Sequence, residues 1–195
     1  MKVILKSAHP EAYGDLEIEC RELTREELTK YIEQTPETEK FVGTKTAPVA
    51  ARKGTPGEEI VTKLTINYEG REYIMSEVKN TVQERTIADG SVQPDIVVTN
   101  THSTSNEQYI VKYEKFLKMY TANADGTFTP NPDERPLTRV SENIAFTTSW
   151  GETVICLAGS YIVTYDAASN DYNSLEQGAC ESTYTKTPVA PGMKF

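Results

Sequence analysis

Apolar and charged residues alternate through Leu16-Glu17-Ile18-Glu19-Cys20-Arg21, the two-residue period of a β-strand whose wet face carries Glu17, Glu19 and Arg21. The period then changes. Thr24-Arg25-Glu26-Glu27 sets a Thr three residues before a Glu, the capping-box arrangement, and Leu23 stands where it can staple onto Leu28. A helix is therefore expected from Thr24, with Leu28, Tyr31 and Ile32 on one face and an end at Thr35-Pro36, because proline cannot continue the hydrogen-bond ladder. Ile60, Thr62, Leu64, Ile66 and Tyr68 alternate with Val61, Lys63, Thr65 and Asn67, and Glu69-Gly70 returns the chain into Arg71–Met75, which predicts a hairpin. A second hairpin is expected from residues 143–148 and 152–157 around Ser149-Trp150-Gly151. Two stretches lack either period. Residues 35–59, rich in Thr, Pro, Glu and Gly, read as a long loop, and residues 121–139, with Asp125-Gly126, Pro130, Pro132 and Pro136, read as a loop or linker.

The second half carries an apparent internal repeat. Asp95-Ile96-Val97-Val98-Thr99 is followed by a polar stretch, Tyr109, Phe116 and Tyr120-Thr121; Ser160-Tyr161-Ile162-Val163-Thr164 is followed by a polar stretch, Tyr172, Cys180 and Tyr184-Thr185. The offset is 65 residues at the Val-Thr pair, 63 at the first Tyr and 64 at the last, so two small loop indels align the copies. Each copy reads as a β-branched strand, a polar turn, a short strand and a short helix. Tyr113, Phe116, Leu117 and Tyr120 form one apolar stripe in the first helix, while Ser174 and Gln177 are a candidate capping box for the second, which contains Gly178. Two copies are too few for a solenoid, so paired modules sharing a sheet, or a pseudo-symmetric pair, are expected.

The strand Leu157-Ala158-Gly159-Ser160-Tyr161-Ile162-Val163, with its closing Cys180-x-x-x-Tyr184, resembles the small phage and prophage domains that carry a Pro-Gly-Asp-Tyr-(Ile/Leu)-Val strand and a final Phe-x-x-x-Tyr. Residues 94–100 and 114–120 are similar to the same pattern. Ala158 and Ser160 stand where the pattern has Pro and Asp, and Cys180 stands where it has the aromatic residue. The resemblance spans residues 80–186. It implies a compact β-rich fold and a phage or mobile-element origin, and it brings no catalytic residues to carry over.

No stretch approaches the roughly 18 to 20 apolar residues of a membrane helix. Met1–Lys6 is too short an apolar run for a signal-peptide core. A cytoplasmic address is expected, the host cytoplasm if the protein is phage-encoded, with no membrane partner. The 195 residues carry 29 acids and 20 bases, a net charge of −9, and the acids outnumber the bases in both halves of the chain. Nonspecific nucleic-acid binding needs a concentrated basic face, so that class is disfavoured. Cys20, Cys156 and Cys180 lie far apart without Cys-x-x-Cys spacing and read as reduced core residues.

Reactive constellations are sparse. His9 and His102 stand in unrelated segments and no zinc motif is present, so no metal site and no cofactor are assigned. His102 in Thr101–Ser105 reads as a turn residue rather than a catalytic base, and Glu152 as a strand-start charge rather than a general acid. Arg52-Lys53-Gly54-Thr55-Pro56-Gly57 sets two cations, two glycines and a hydroxyl in one loop without P-loop spacing. On a chain of net −9 it is where an anionic ligand is expected, with Arg52, Lys53 and Thr55 as contacts and Trp150 as an aromatic anchor. Tyr109, Tyr120, Tyr172 and Tyr184 recur in the repeat and read as core.

The fold class that follows is β-rich α+β: antiparallel hairpins, a short N-terminal helix, and short helices closing two repeat-like modules. The expected organisation is a strand-helix unit over residues 1–40, a hairpin plus first module over 41–125, a second module over 126–188, and a tail over 189–195. The leading functional expectation is a non-enzymatic phage-type protein that binds and sequesters a small anionic ligand, such as a nucleotide signal of host defence. The alternatives are a virion component or an inhibitor docking on a host or phage protein, including a homo-oligomeric form, and third an enzyme of unknown class.

Overall fold

The computed structural model describes residues 1–149, 151–166, 169 and 171–189. Strand β1 (Lys2–Ser7) pairs antiparallel with β2 (Leu16–Glu19), which the alternating segment predicts, and β3 (Arg21–Leu23) follows directly. Helix α1 (Arg25–Gln34) has Thr24 as its N-cap: the Glu27 amide donates to Thr24 Oγ1 at 3.3 Å, and the Thr24 amide donates to Glu27 Oε2 at 2.8 Å. The capping box is thus complete. The helix ends at Thr35 before Pro36. Leu23, Leu28 and Ile32 are buried together with Ile144, Phe146 and Ile162, so α1 rests on the C-terminal half of the chain.

The stretch read as a long loop holds a short 3-10 turn and two strands, β4 (Lys40–Lys45) and β5 (Ala50–Lys53). Next come the expected hairpin of β6 (Glu59–Tyr68) and β7 (Arg71–Thr81), then β8 (Glu84–Thr86), β9 (Val92–Pro94), β10 (Ile96–Thr99), β11 (Gln108–Val111), α2 (Tyr113–Met119) and β12 (Tyr120–Ala122). The stretch read as a linker holds β13 (Phe128–Pro130) and β14 (Glu134–Arg139). The hairpin of β15 (Ile144–Thr147) and β16 (Thr153–Cys156) follows as expected, then β17 (Tyr161–Asp166), β18 (Asp171–Leu175), α3 (Gln177–Thr183) and β19 (Tyr184–Pro188). Each repeat-like copy is therefore strand, strand, helix, strand. The fold is β-rich, with mostly antiparallel sheets and three short α-helices among the described residues.

Two sheets of the same design make up the centre. The second has the order β19-β4-β14-β17-β18. The first has β11-β10-β5, joined through an antiparallel bridge between Val49 and Phe128 to the pair β13-β12, giving β12-β13-β5-β10-β11. Strand β13 therefore fills in one sheet the slot that β4 fills in the other. The registers agree residue by residue: Tyr120 faces Pro130 and Ala122 faces Phe128 in the first, while Tyr184 faces Lys45 and Lys186 faces Gly43 in the second. The Asn131 amide donates to the Met119 carbonyl at 2.7 Å, and in the other sheet the Thr46 amide donates to the Thr183 carbonyl at 2.9 Å. The two modules are linked by a strand exchange: β4 precedes the first module in the chain yet is hydrogen-bonded into the sheet of the second, and β13, which precedes the second, is bonded into the sheet of the first.

Composition hides β4 and β14. Gly43 in β4 lies so close to Leu137 of β14 that a Cβ there would collide with the leucine side chain, so glycine is required by packing. Pro136 has no amide donor, and it sits in the part of β14 that pairs with β4 only, before β17 joins at Leu137. Strand recognition by apolar alternation fails for both.

The repeat itself needs one adjustment. Thr99 faces Gln108, whereas its equivalent Thr164 faces Tyr172; Val98 faces Tyr109, whereas Val163 faces Asn173. Tyr172 is thus the counterpart of Gln108, and a single one-residue difference in the loop between the paired strands suffices. Alternation then places Tyr109 and Tyr172 on opposite faces of their sheets. Phe116 and Cys180 are true counterparts: each accepts the amide of the closing tyrosine, Tyr120 or Tyr184, and each is buried. Leu117 leaves the expected stripe and is 59% exposed, because α2 ends at Met119 and lays only its Phe116 side on the sheet. The expected capping box of α3 is replaced: the cap is Glu176, whose carboxylate accepts the Ala179 amide at 3.0 Å, while the Gln177 amide donates to Ser160 Oγ at 3.2 Å. All three cysteines are free and buried.

Leu137 is fully buried against Tyr161, Val163 and Cys180. Leu137→Ala should destabilise the protein by about 2–5 kcal/mol, read as a lower urea midpoint at unchanged slope. Opening the chain in the turn at Asp125-Gly126 with an inserted protease site should leave both fragments in one particle on gel filtration, since β4 and β13 each remain bonded across the cut.

Candidate functional site

The structure separates the residues expected to hold an anion. In β5 successive side chains point to opposite faces, so Arg52 and Lys53 diverge. The Arg52 guanidinium forms a two-pronged ion pair with Glu58, with Nη1 at 2.9 Å from Oε2, and the Thr55 amide donates to the same carboxylate at 3.1 Å. These bonds hold the Glu58 carboxyl down at about 2. Lys53 Nζ donates to Gln93 Oε1 at 2.8 Å and lies 5.4 Å from the centre of the Tyr113 ring. Gly54 is pressed between Val82 and the Asp95 carbonyl, to which its amide donates. The segment is a braced turn in which Arg52 is paired with Glu58, while Lys53 diverges to the neutral Gln93 amide and the Tyr113 ring. Trp150 lies outside the described residues.

A cavity of about 850 Å³ opens elsewhere, between the two modules and the β6–β7 hairpin. It takes its polar lining from Lys45 at the end of β4, from the loop 100–107 that joins β10 to β11, and from Tyr109, Glu176 and Tyr184. The strand exchange creates this meeting. Lys45 belongs by hydrogen bonding to the second sheet, opposite Tyr184, yet its Nζ donates to the Tyr109 hydroxyl of the first module at 3.0 Å and lies 5.2 Å from that ring's centre. The Tyr109 and Tyr120 hydroxyls are 2.9 Å apart, so the ammonium begins a chain of three polar groups.

Charge is poorly balanced there. Lys6 and Lys79, which also line the cavity, are paired with Asp15 and Glu59 at 2.6 Å each. Among the described residues Lys45 has no carboxylate within ion-pair distance, and burial lowers its pKa from the usual lysine range despite the opposing influence of Glu107. Glu107 accepts a hydrogen bond from the buried Asn100, and burial pushes its pKa up, against the pull of Lys45. Glu176 is raised by burial as well, but its carboxylate is occupied as the cap of α3. Tyr109 and Tyr184 are pushed up by burial, so both hydroxyls stay neutral at any ordinary pH. The cavity lining thus sets the Lys45 ammonium among the carboxyl groups of Glu107, Glu72 and Glu152, of which Glu107 is the one that acts on Lys45 electrostatically.

The remaining sequence candidates take structural places. His102 stands on the cavity rim with its amide on Asn100 Oδ1 at 3.2 Å. His9 Nδ1 lies 3.2 Å from Glu11 and its ring packs edge-on to Tyr13. Glu152 stands just before β16, its amide donating to Thr148 Oγ1 at 3.1 Å and its carbonyl accepting the Thr148 amide at 2.8 Å, and it also lines the cavity. Tyr120 is buried, stacked on Phe116 at 4.9 Å. Among the described residues no group of three or more His, Cys, Asp or Glu side chains could hold a metal ion, and no helix is long and apolar enough to cross a membrane. Lys45 and Glu107 were not legible as a site in the sequence: they stand 62 positions apart and neither lies in a motif.

Comparison with family models, curated proteins and solved structures finds no match to this chain.

Arg52→Gln should return the Glu58 titration from about 2 toward the ordinary carboxylate range, measured by NMR of the side-chain carboxyl.

Proposed function

We propose that the protein binds a small anionic ligand in the cavity around Lys45 and holds it without converting it. The observation that carries this reading is the half-buried ammonium of Lys45, which has a tyrosine hydroxyl and ring for partners and no carboxylate within ion-pair distance among the described residues. A buried charge is costly until it is paired, and an arriving anion supplies the missing partner. The volume lies in the range of small-molecule sites, roughly 300–1,000 Å³. Nucleotides fit that range, in line with the functional expectation of a sequestered nucleotide signal. The cation contact moves from the Arg52 turn to Lys45, and the ligand is held by side chains of both modules. A holding role is supported by how the polar groups are engaged: Glu176 caps a helix, the Tyr109 and Tyr120 hydroxyls bond one another, and Cys156 and Cys180 are buried with pKa values pushed up, to about 11 for Cys180.

The pH dependence follows from two shifts of the same sign in effect. Glu107, raised by burial, is neutral on the acid side of its pKa and places a negative charge beside Lys45 above it; Lys45, lowered by burial, loses its charge earlier than an exposed lysine. Anion affinity should be highest in acid, fall as pH rises through the Glu107 titration, and fall again in the alkaline range as Lys45 deprotonates. Isothermal calorimetry with cyclic adenosine monophosphate, whose phosphodiester keeps one negative charge over that range, should show both steps in a pH series. Lys45→Gln should weaken binding about tenfold or more, corresponding to about 1.4 kcal/mol. Glu107→Gln should strengthen it near neutral pH and abolish the acid-side step. No measurable binding by a panel of mononucleotides and cyclic nucleotides, with the wild-type chain folded, would remove the proposal.

A further inference from the structure

Besides Lys45, the cavity has a second face with a different chemistry. Val3 and Leu5 of β1, Leu64 of β6, Val154 and Ile155 of β16 and Leu175 of β18 all line it, and all six are only partly buried. A single half-exposed aliphatic side chain on a surface is ordinary. Here Val3, Leu5 and Leu64 of the β2-β1-β7-β6 sheet meet Ile155 of β16 across one cavity, while Val154, its neighbour in β16, packs toward Leu23 and Phe146 on the opposite face. Val3, Leu5, Leu64 and Ile155 pack at the margin of the cluster formed by Ile18, Ile66, Met75 and Leu157, so the apolar wall continues a core and is rigidly backed. A fully hydrated ion such as free phosphate would leave that wall facing water.

We infer that the anion held at Lys45 is the head of an amphiphilic small molecule, whose flat aromatic or aliphatic body lies on the apolar wall. This rests on the anion-binding reading above and narrows it to one ligand chemistry: a single negative group at one end and an apolar body at the other. Burying such a body contributes roughly 25 cal/mol per Å² removed from water, and pairing the head relieves the charge of Lys45. The loop 100–107 is braced by its own hydrogen bonds: the Ser103 hydroxyl donates to the Asn100 carbonyl at 3.1 Å and accepts the Glu107 amide at 3.0 Å, and Asn100 Oδ1 accepts the His102 amide at 3.2 Å. A purine nucleotide and a medium-chain carboxylate share this chemistry.

Fluorescence titration of the full chain with 8-anilinonaphthalene-1-sulfonate tests it, because the dye joins one sulfonate to an aromatic body. One dye should bind per chain with a dissociation constant on the order of micromolar. N-phenyl-1-naphthylamine, the same body without the sulfonate, and inorganic phosphate, a head without a body, should each bind at least about tenfold more weakly. Lys45→Gln should weaken the dye by about tenfold and leave the neutral body unaffected; Leu64→Ser should weaken both. Thermal melts confirm that each variant is folded. Displacement of the dye by adenosine monophosphate assigns an aromatic body, and displacement by decanoate an aliphatic one. If phosphate or ribose 5-phosphate binds as tightly as the dye and loses affinity in Lys45→Gln, the amphiphile is wrong while anion binding stands. If no anion binds in a Lys45-dependent manner, both readings fall together.

Discussion

Everything in this molecule depends on the exchange of one strand between two sheets. Without β4, the β14 edge and the β19 edge of the second sheet would lose their hydrogen-bonding partner; without β13, β12 would be left with none. Unpaired backbone amides and carbonyls in a buried setting each cost on the order of 1–3 kcal/mol, so neither module is satisfied by its own contiguous segment. The equivalence of the two registers, down to the matching bonds from Asn131 to Met119 and from Thr46 to Thr183, makes the arrangement a pseudo-symmetric pair. The division of the chain at residue 41 as a module boundary has to be read with that in mind, because residues 40–45 lie in one module by sequence order and in the other by hydrogen bonding.

The exchange also explains where the cavity is. A strand that leaves one sheet to begin the next must cross the gap between them, and Lys45 is its last residue before the crossing. The lysine is thereby held against Tyr184 on its own sheet and Tyr109 on the neighbouring one, in a space that neither module encloses by itself. The site is thus built into the junction of two otherwise ordinary antiparallel sheets. The unequal insertions complete it: the long β6–β7 hairpin interrupts the first module and the short β15–β16 hairpin the second, and both contribute to the lining.

The contrast between Arg52 and Lys45 carries a general point about charge. Arg52 stands in a sequence context that invites an anion, yet the turn that displays it also brings Glu58 within reach, and a guanidinium with an adjacent carboxylate takes it at once. Lys45 stands in a sequence of no distinction, Thr44-Lys45-Thr46, and burial takes it partly out of water, with a tyrosine hydroxyl as its hydrogen-bond partner and Glu107 acting on it from beyond ion-pair distance. Availability for a ligand is a property of what surrounds a charge in space.

Local periodicity was enough for the elements whose apolar residues alternate or wind without interruption. The Thr24 capping box, both expected hairpins and the two strand-helix copies stand where Leu16–Arg21, Thr24–Thr35, Ile60–Met75 and the Val-Thr and Tyr signatures put them, because these signals act over a few residues and need no distant partner. The β-rich α+β class was legible for the same reason. What the residues alone could not reveal were β4, β13 and β14, whose Thr, Lys, Gly and Pro become strands only because a neighbouring edge supplies their hydrogen bonds and, at Gly43, the leucine that fills the missing side chain. The one-residue register of Tyr172 and the approach of Lys45 to Glu107 and Tyr109 likewise wait on pairing across the modules. Short-range sterics and capping are written into adjacent residues, whereas pairing energy and desolvation exist only between segments that the fold has already brought together.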